Sequence, residues 1–164
     1  HILYNNVYDS RSCARRLTNT YGPRMRIKDT RQTFVGIWIR LLLEGKQFEV
    51  WGGEQLRDFT YIDDAVEAML SAAENEQACG RILNLGGSIV VSLKELADIL
   101  IQTNEGGKYI ICQFPEKRKK IDIGDYYSDY KLIHDVLGWE PKVTLQDGLK
   151  QTLDYYRKYL QNYV

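Results

Sequence analysis

Apolar residues recur at helical spacing in four stretches of the chain, and short apolar runs closed by glycines separate them. Phe34, Ile37, Trp38, Leu41 and Leu42 share one helical face, and Gly45 follows as a stop. Phe48 to Trp51 predicts a short strand closed by Gly52-Gly53, and the alternation from Arg57 to Ile62 predicts another. Asp63-Asp64 are placed as caps of a helix running through Ala65, Val66, Met69, Leu70 and Ala73. Arg81 to Leu85 reads as a buried strand, followed by Gly86-Gly87. Ser92-Leu93-Lys94-Glu95 is a capping box, opening a helix with Leu93, Leu96, Ala97, Leu100 and Ile101 inward. Lys108 to Phe114 predicts a strand, Pro115 to Tyr127 a charged loop, and Asp129 to Leu137 a short helix. Gly138 to Pro141 is a turn. Thr144 caps a last amphipathic helix carrying Leu145, Leu149, Leu153, Tyr156 and Leu160. Asn19 to Pro23 is turn chemistry and residues 24–32 form a polar loop. Residues 1–15 show no sustained period, and Ser12-Cys13-Ala14-Arg15 makes a poor strand, so the compact unit is expected to start near Arg16.

The pattern is mixed α/β with short strands and no internal repeat. At 164 residues, 44% of them hydrophobic, it suits one ordinary domain with a real core. Lys+Arg and Asp+Glu are both 22, and this neutral balance argues against a general nucleic-acid binder. No run reaches the roughly 18–20 apolar residues of a membrane span, and residues 1–16 hold no apolar signal segment. Three widely spaced cysteines form neither a disulfide framework nor a metal site, and they fit a reducing cytoplasm. G-x-G-x-x-G is absent, so the sequence carries no dinucleotide-binding start.

Five short motifs occur in a telling order. They are Arg16-Leu-Thr-Asn19-Thr-Tyr21-Gly22-Pro23, Phe48-Glu-Val-Trp51-Gly52, Gln55-Leu-Arg57-Asp58-Phe59-Thr60-Tyr61-Ile62-Asp63-Asp64, Asn84-Leu-Gly86, and Leu137-Gly138-Trp139-Glu140-Pro141. Each is weak alone. Together, over about residues 16–160, the chain resembles the C-terminal half of an extended short-chain dehydrogenase/reductase acting on nucleotide sugars. These are the NAD-dependent epimerases, decarboxylases and 4,6-dehydratases. The implied fold is α/β: a small mixed domain of short strands and helices, the C-terminal lobe of such an enzyme. The division is then a non-matching leader over 1–15 and a nucleotide-sugar-binding domain over 16–164. In the family an upstream Rossmann domain holds NAD or NADP and a catalytic Tyr-x-x-x-Lys pair. Tyr127-x-x-x-Lys131 has that spacing but lies in the late loop and is assigned no role. No cofactor is therefore expected in this chain, and no turnover in isolation.

The resemblance also implies site residues. Arg57 takes the diphosphate, for which a planar, permanently charged fork is suited; the plainer alternative is an exposed Arg paired with Asp58 or Glu54. Asn19 stands near the diphosphate and sugar, against a turn Asn bonding its own backbone. Glu49, Val50 and Trp51 align with the edge that meets the nucleobase, against ordinary strand packing. In Lys117 to Asp122 a basic residue, Arg118 or Lys119, meets phosphate and Asp122 meets the ribose hydroxyls. A solvated charge run is the alternative there. His134 and the C-terminal tyrosines read as structural. The expected ligand is a UDP- or dTDP-sugar, with no nucleic acid or membrane partner, and self-association through an exposed domain face. The rival is a stand-alone binding or interaction module derived from such a domain.

Overall fold

The computed structural model describes residues 2–8, 11–29, 33–116 and 122–164. Helix α1 (Ile2–Tyr8) leads into β1 (Ala14–Arg16), β2 (Asn19–Tyr21) and α2 (Phe34–Leu43). Then come β3 (Phe48–Trp51), β4 (Leu56–Tyr61), α3 (Ile62–Glu74), β5 (Ile82–Asn84), β6 (Val90–Ser92), α4 (Leu93–Thr103) and β7 (Tyr109–Cys112). The chain ends with α5 (Lys131–Leu137) and α6 (Leu145–Tyr159). The expected α/β class holds.

Three small sheets carry the strands. β1 pairs in parallel with β5, β3 in parallel with β7, and β4 sits between parallel β2 and antiparallel β6. Local chemistry fixes several helix starts. Thr33 accepts from the Val35 N–H at the head of α2. Ser92 and Glu95 close the anticipated capping box of α4, and Thr144 accepts from the Asp147 N–H at α6. The larger core joins α2, α4 and α6 over β2, β3 and β4, with Ile39, Phe48, Leu96, Leu100, Leu149 and Tyr156 fully buried. A second cluster packs Ala65, Ala68 and Ala72 of α3 against Leu83, Leu85, Ile133 and Trp139.

Two expectations are corrected. Ser12 to Arg15 does not end the fold: Ala14–Arg16 is β1, registered Ala14↔Ile82 and Arg16↔Asn84. A polar three-residue strand shows no period of its own, and only its distant partner defines it. On α3, Asp63 and Asp64 lie inside the helix, and the N-cap Tyr61 makes no side-chain cap bond. Asp64 is buried, accepts from the Val143 N–H at 3.0 Å, and its carbonyl accepts from the Trp139 indole at 3.0 Å. The inward face is alanine, which allows close approach. Val66, Met69 and Leu70 are 43%, 36% and 61% exposed.

Tyr21 locks α6 to the central sheet. Its ring is buried and its hydroxyl donates to the Leu145 carbonyl at 3.2 Å. Burial, with added repulsion from Tyr61, Asp64 and Asp147, pushes its phenol well above the ordinary value. A phenol with a raised folded pKa stabilises in full below its unfolded value and loses that contribution as pH rises towards the folded one. The Tyr21 contribution should therefore be constant up to about pH 10. Above that, Tyr21 should remove up to about 1.4 kcal/mol per pH unit. Urea unfolding across alkaline pH checks this, and Tyr21→Phe should shallow the fall; an identical fall in Tyr21→Phe would contradict it.

Candidate functional site

β4 carries the centre of the site. It is flanked by strands on both sides, and at Arg57 a parallel bridge to Tyr126 adds a further layer. The segment 122–128 lies along the start of β4 as a strap. The Leu56 N–H donates to Asp125 Oδ1 at 2.9 Å, and the Tyr126 N–H donates to the Leu56 carbonyl at 3.0 Å. The Ser128 N–H donates to Asp58 Oδ2 at 3.2 Å.

Arg57 is enclosed by this strap, its side chain only 9% exposed. Nη1 donates to the Leu56 carbonyl at 2.7 Å and also to the Gly124 carbonyl. Nη2 lies 3.7 Å from Asp122 Oδ1. The alternative of an exposed Arg paired with Asp58 or Glu54 is thus replaced by a buried Arg paired with Asp122. Through the Gly124 carbonyl the buried guanidinium helps to hold the strap down.

Asn19 does not bond its own turn. Its Nδ2 donates across to the Asp58 carbonyl at 3.1 Å, and its backbone is registered with Phe59. Arg57 and Asp122 thus pair over the start of β4, while Asn19 lies on β2 and is tied to the next residue of β4, Asp58. Glu49, Val50 and Trp51 stand on β3, in the separate sheet with β7. Val50 is fully buried core, Glu49 is exposed, and the Trp51 indole donates to Glu49 Oε2 at 2.9 Å beside the edge of Phe114. Arg118 and Lys119 lie outside the described residues.

Asp58 enters the sequence reading only as an alternative ion-pair partner of Arg57. Its carboxylate is buried, and Oδ2 accepts from both Gly87 N–H, at 3.0 Å, and Ser128 N–H. One side chain thus joins β4, the turn after β5 and the strap. Two cavities border the end of the strap. One of about 230 Å³ includes Arg16, Thr18, Asn84 and Tyr127 in its lining, and one of about 380 Å³ includes Tyr130, Lys131, His134 and Glu140. Ser128 and Asp129 belong to both. Tyr127 and Lys131 line different cavities, in keeping with no paired role.

Gly86-Gly87 does not form a dinucleotide loop. Gly86-Gly87 is the glycine pair that follows a parallel strand, but the next element is β6, not a helix. The space over it is filled: a Cβ on Gly86 would meet Asp58 Oδ2 at 2.8 Å, and one on Gly87 the Phe59 carbonyl oxygen at 2.4 Å. These glycines serve backbone packing, whereas a pyrophosphate needs open N–H groups at a helix start.

The sequence model of the NAD dependent epimerase/dehydratase family matches residues 2–86, just over half of the chain. The chain belongs to that family. The match begins at Ile2 and so takes in α1 and β1. This family member is 35% identical over 152 residues to UDP-glucuronic acid decarboxylase 1 of Xenopus tropicalis, covering 90% of the chain and 34% of that protein. Among solved structures it is similar to UDP-glucose 4-epimerase of Thermotoga maritima with UDP-glucose. That likeness has TM-score 0.86 and 29% identity, over 96% of this chain and 50% of the other. It is also similar to UDP-glucuronic acid 4-epimerase of Bacillus cereus in complex with NAD. There the TM-score is 0.78 and the identity 26%, over 99% of this chain and 48% of the other. The chain thus spans half or less of the length of these relatives.

Proposed function

We propose that this epimerase/dehydratase family member forms a nucleotide-sugar-binding domain that is catalytically silent by itself. A UDP- or dTDP-sugar is the ligand. The observation that carries this reading is Arg57, a buried cation on β4 enclosed by the strap and faced by Asp122. A guanidinium held among carbonyls and one carboxylate is ready for an oxyanion at its remaining edge. The Asn19 amide, tied to the Asp58 carbonyl, is the neutral group of the site, and Glu49 with Trp51 on β3 is the patch for the base. The chain's own residues bind and orient; hydride transfer and proton abstraction belong to a dinucleotide-binding half that this glycine pattern does not supply.

Further features support the setting. Cys13, Cys79 and Cys112 are all free, which suits the cytoplasm. Among the described residues no helix is long and apolar enough to cross a membrane. The neutral charge balance speaks against nucleic acid as a partner. Leu3, Tyr4, Val7 and Tyr8 on α1, with Val66, Met69 and Leu70 on α3, are exposed. Such apolar surface favours self-association, and it is also the observation that favours the second reading, a stand-alone interaction module.

Calorimetric titration with UDP-, dTDP-, GDP- and CDP-sugars separates the two. The binding reading expects saturable uptake of a UDP- or dTDP-sugar, and no sugar conversion when NAD is added. Turnover would overturn the silence of the chain. Binding of none of the four would favour the interaction module.

A further inference from the structure

We infer that the outer edge of β7 is a self-association surface, where a second copy of this chain adds its own β7 antiparallel about a two-fold axis at Cys112. The surface is separate from the exposed apolar residues of α1 and α3, and the inference does not depend on the sugar-binding reading.

β7 has β3 on one side, and among the described residues no strand lies along the other. Its bonds to β3 alternate. The Phe48 N–H donates to the Lys108 carbonyl at 3.3 Å, and the Gly52 N–H to the Cys112 carbonyl at 2.9 Å. With Phe48 registered on Tyr109 and Trp51 on Cys112, it is Lys108, Ile110 and Cys112 that turn their main-chain groups to β3. Tyr109 and Ile111 turn theirs outward, and Gln113 follows in the same alternation. Ile110 and Ile111 are 45% and 52% exposed, so the edge is open on both faces. Such an edge is a template for another strand, and soluble chains commonly blunt it with charge or proline. From Tyr109 to Phe114 there is neither.

The ends of this run decide the partner and its direction. Lys108 precedes it, and Pro115-Glu116 follows. An antiparallel second copy brings the Lys108 end of each strand to the Glu116 end of the other, whereas a parallel copy sets like charges side by side. A segment complementary to itself in this way fits a two-fold contact between identical chains, which uses up the edge and stops at a dimer. An axis at Cys112 sets Ile111 opposite Gln113 of the second copy, and these residues exchange both N–H···O bonds. It sets Ile110 opposite Phe114 of the second copy, on the face where the Phe114 ring already meets Trp51. The two Cys112 residues then form a non-hydrogen-bonded pair with Cα atoms about 4.5 Å apart, within the span of a disulfide. Pro115 has no N–H to give and ends the ladder.

The test is sedimentation of the full chain with disulfide trapping by diamide. This diazene takes two protons and two electrons from two Cys112 thiols and becomes the hydrazine, leaving one S–S bond. All three cysteines are free, so Cys13 and Cys79 are internal controls. The expected result is a concentration-dependent dimer that diamide traps in the natural chain and in the Cys13→Ser, Cys79→Ser double variant, but not in Cys112→Ser. Ile111→Pro removes the outward N–H without touching the bonds to β3, and should weaken self-association about 10-fold or more, for one hydrogen bond lost in each copy. Ile111→Lys keeps the backbone intact and should weaken it as well, by bringing two like charges to the axis. Melting curves check that both variants fold. A strict monomer, a dimer that is not trapped through Cys112, or a dimer unaffected in folded Ile111→Lys overturns the inference.

Discussion

Asp58→Ala should cost the chain roughly 3–6 kcal/mol of folding stability, the sum of two charge-assisted hydrogen bonds at about 1.5–3 kcal/mol each. The carboxylate is buried, and its Oδ2 accepts from Gly87 N–H and Ser128 N–H. Alanine leaves both donors in an enclosed space without an acceptor, and this asymmetry makes the loss larger than the net worth of the bonds. The opposing effect, relief from burying a charge, is smaller when the partners remain behind. Asp58→Asn should cost less, about 1–2 kcal/mol. Its amide oxygen can still accept both N–H groups, and its NH2 falls where Oδ1 has no hydrogen-bond partner among the described residues. Urea unfolding of the three proteins gives the order. A loss below about 1 kcal/mol for alanine would mean that Asp58 does not pin the strap.

Gly148→Ala is the second large effect, and its sign runs against helix propensity. Gly148 lies within α6, where alanine alone would add about 1 kcal/mol. Yet a Cβ there would stand 2.2 Å from the Tyr21 hydroxyl oxygen and 2.9 Å from Tyr61 Cδ2. Neither ring can retreat easily. Tyr21 is bonded to the Leu145 carbonyl and meets Phe59 and Tyr61 edge-on at 6.4 and 5.7 Å, while Tyr61 donates to Gln151 at 3.1 Å. Overpacking of about 3 kcal/mol therefore outweighs the propensity gain, for a net loss near 2 kcal/mol. The hydroxyl is the obstacle, so Tyr21→Phe combined with Gly148→Ala should lose less than the sum of the single changes. Strict additivity in that cycle would mean that the helix moves as a whole.

Much of this architecture is legible where the signal is local. The capping box at Ser92 and Glu95 needs only four consecutive residues, and it forms as expected. The apolar faces of α2 and α6 are set by periodicity, and Trp38, Leu42, Leu149 and Leu153 are buried as the pattern implies. Where partners lie far along the chain, the signal fades. β1 is Ala-Arg-Arg and becomes a strand because Ile82–Asn84 meets it. α3 carries large apolar residues on one side and alanines on the other, and size alone suggests the wrong face. Tight packing against Leu83 and Trp139 selects the alanines. The site divides in the same way. Arg57 and Asn19 are visible in short motifs, but the enclosure of Arg57 by Gly124 and Asp122 depends on a strap folded back over β4. Asp58 was in view only as an ion-pair alternative for Arg57, since its two N–H partners come from separate loops.

The central claim is that Arg57 holds a ligand diphosphate, and titration of UDP into Arg57 variants tests it most directly. One charge-assisted bond is worth about 1.5–3 kcal/mol, so Arg57→Ala, checked for folding by its melting curve, should lose about 10-fold or more in affinity. Arg57→Lys should fall in between, because a point charge lacks the two-pronged match. Lys46→Ala, which removes an exposed lysine paired with Glu44, should leave UDP binding unchanged. Folded Arg57→Ala that binds UDP as tightly as the natural chain, or an equal loss in Lys46→Ala, would contradict the account.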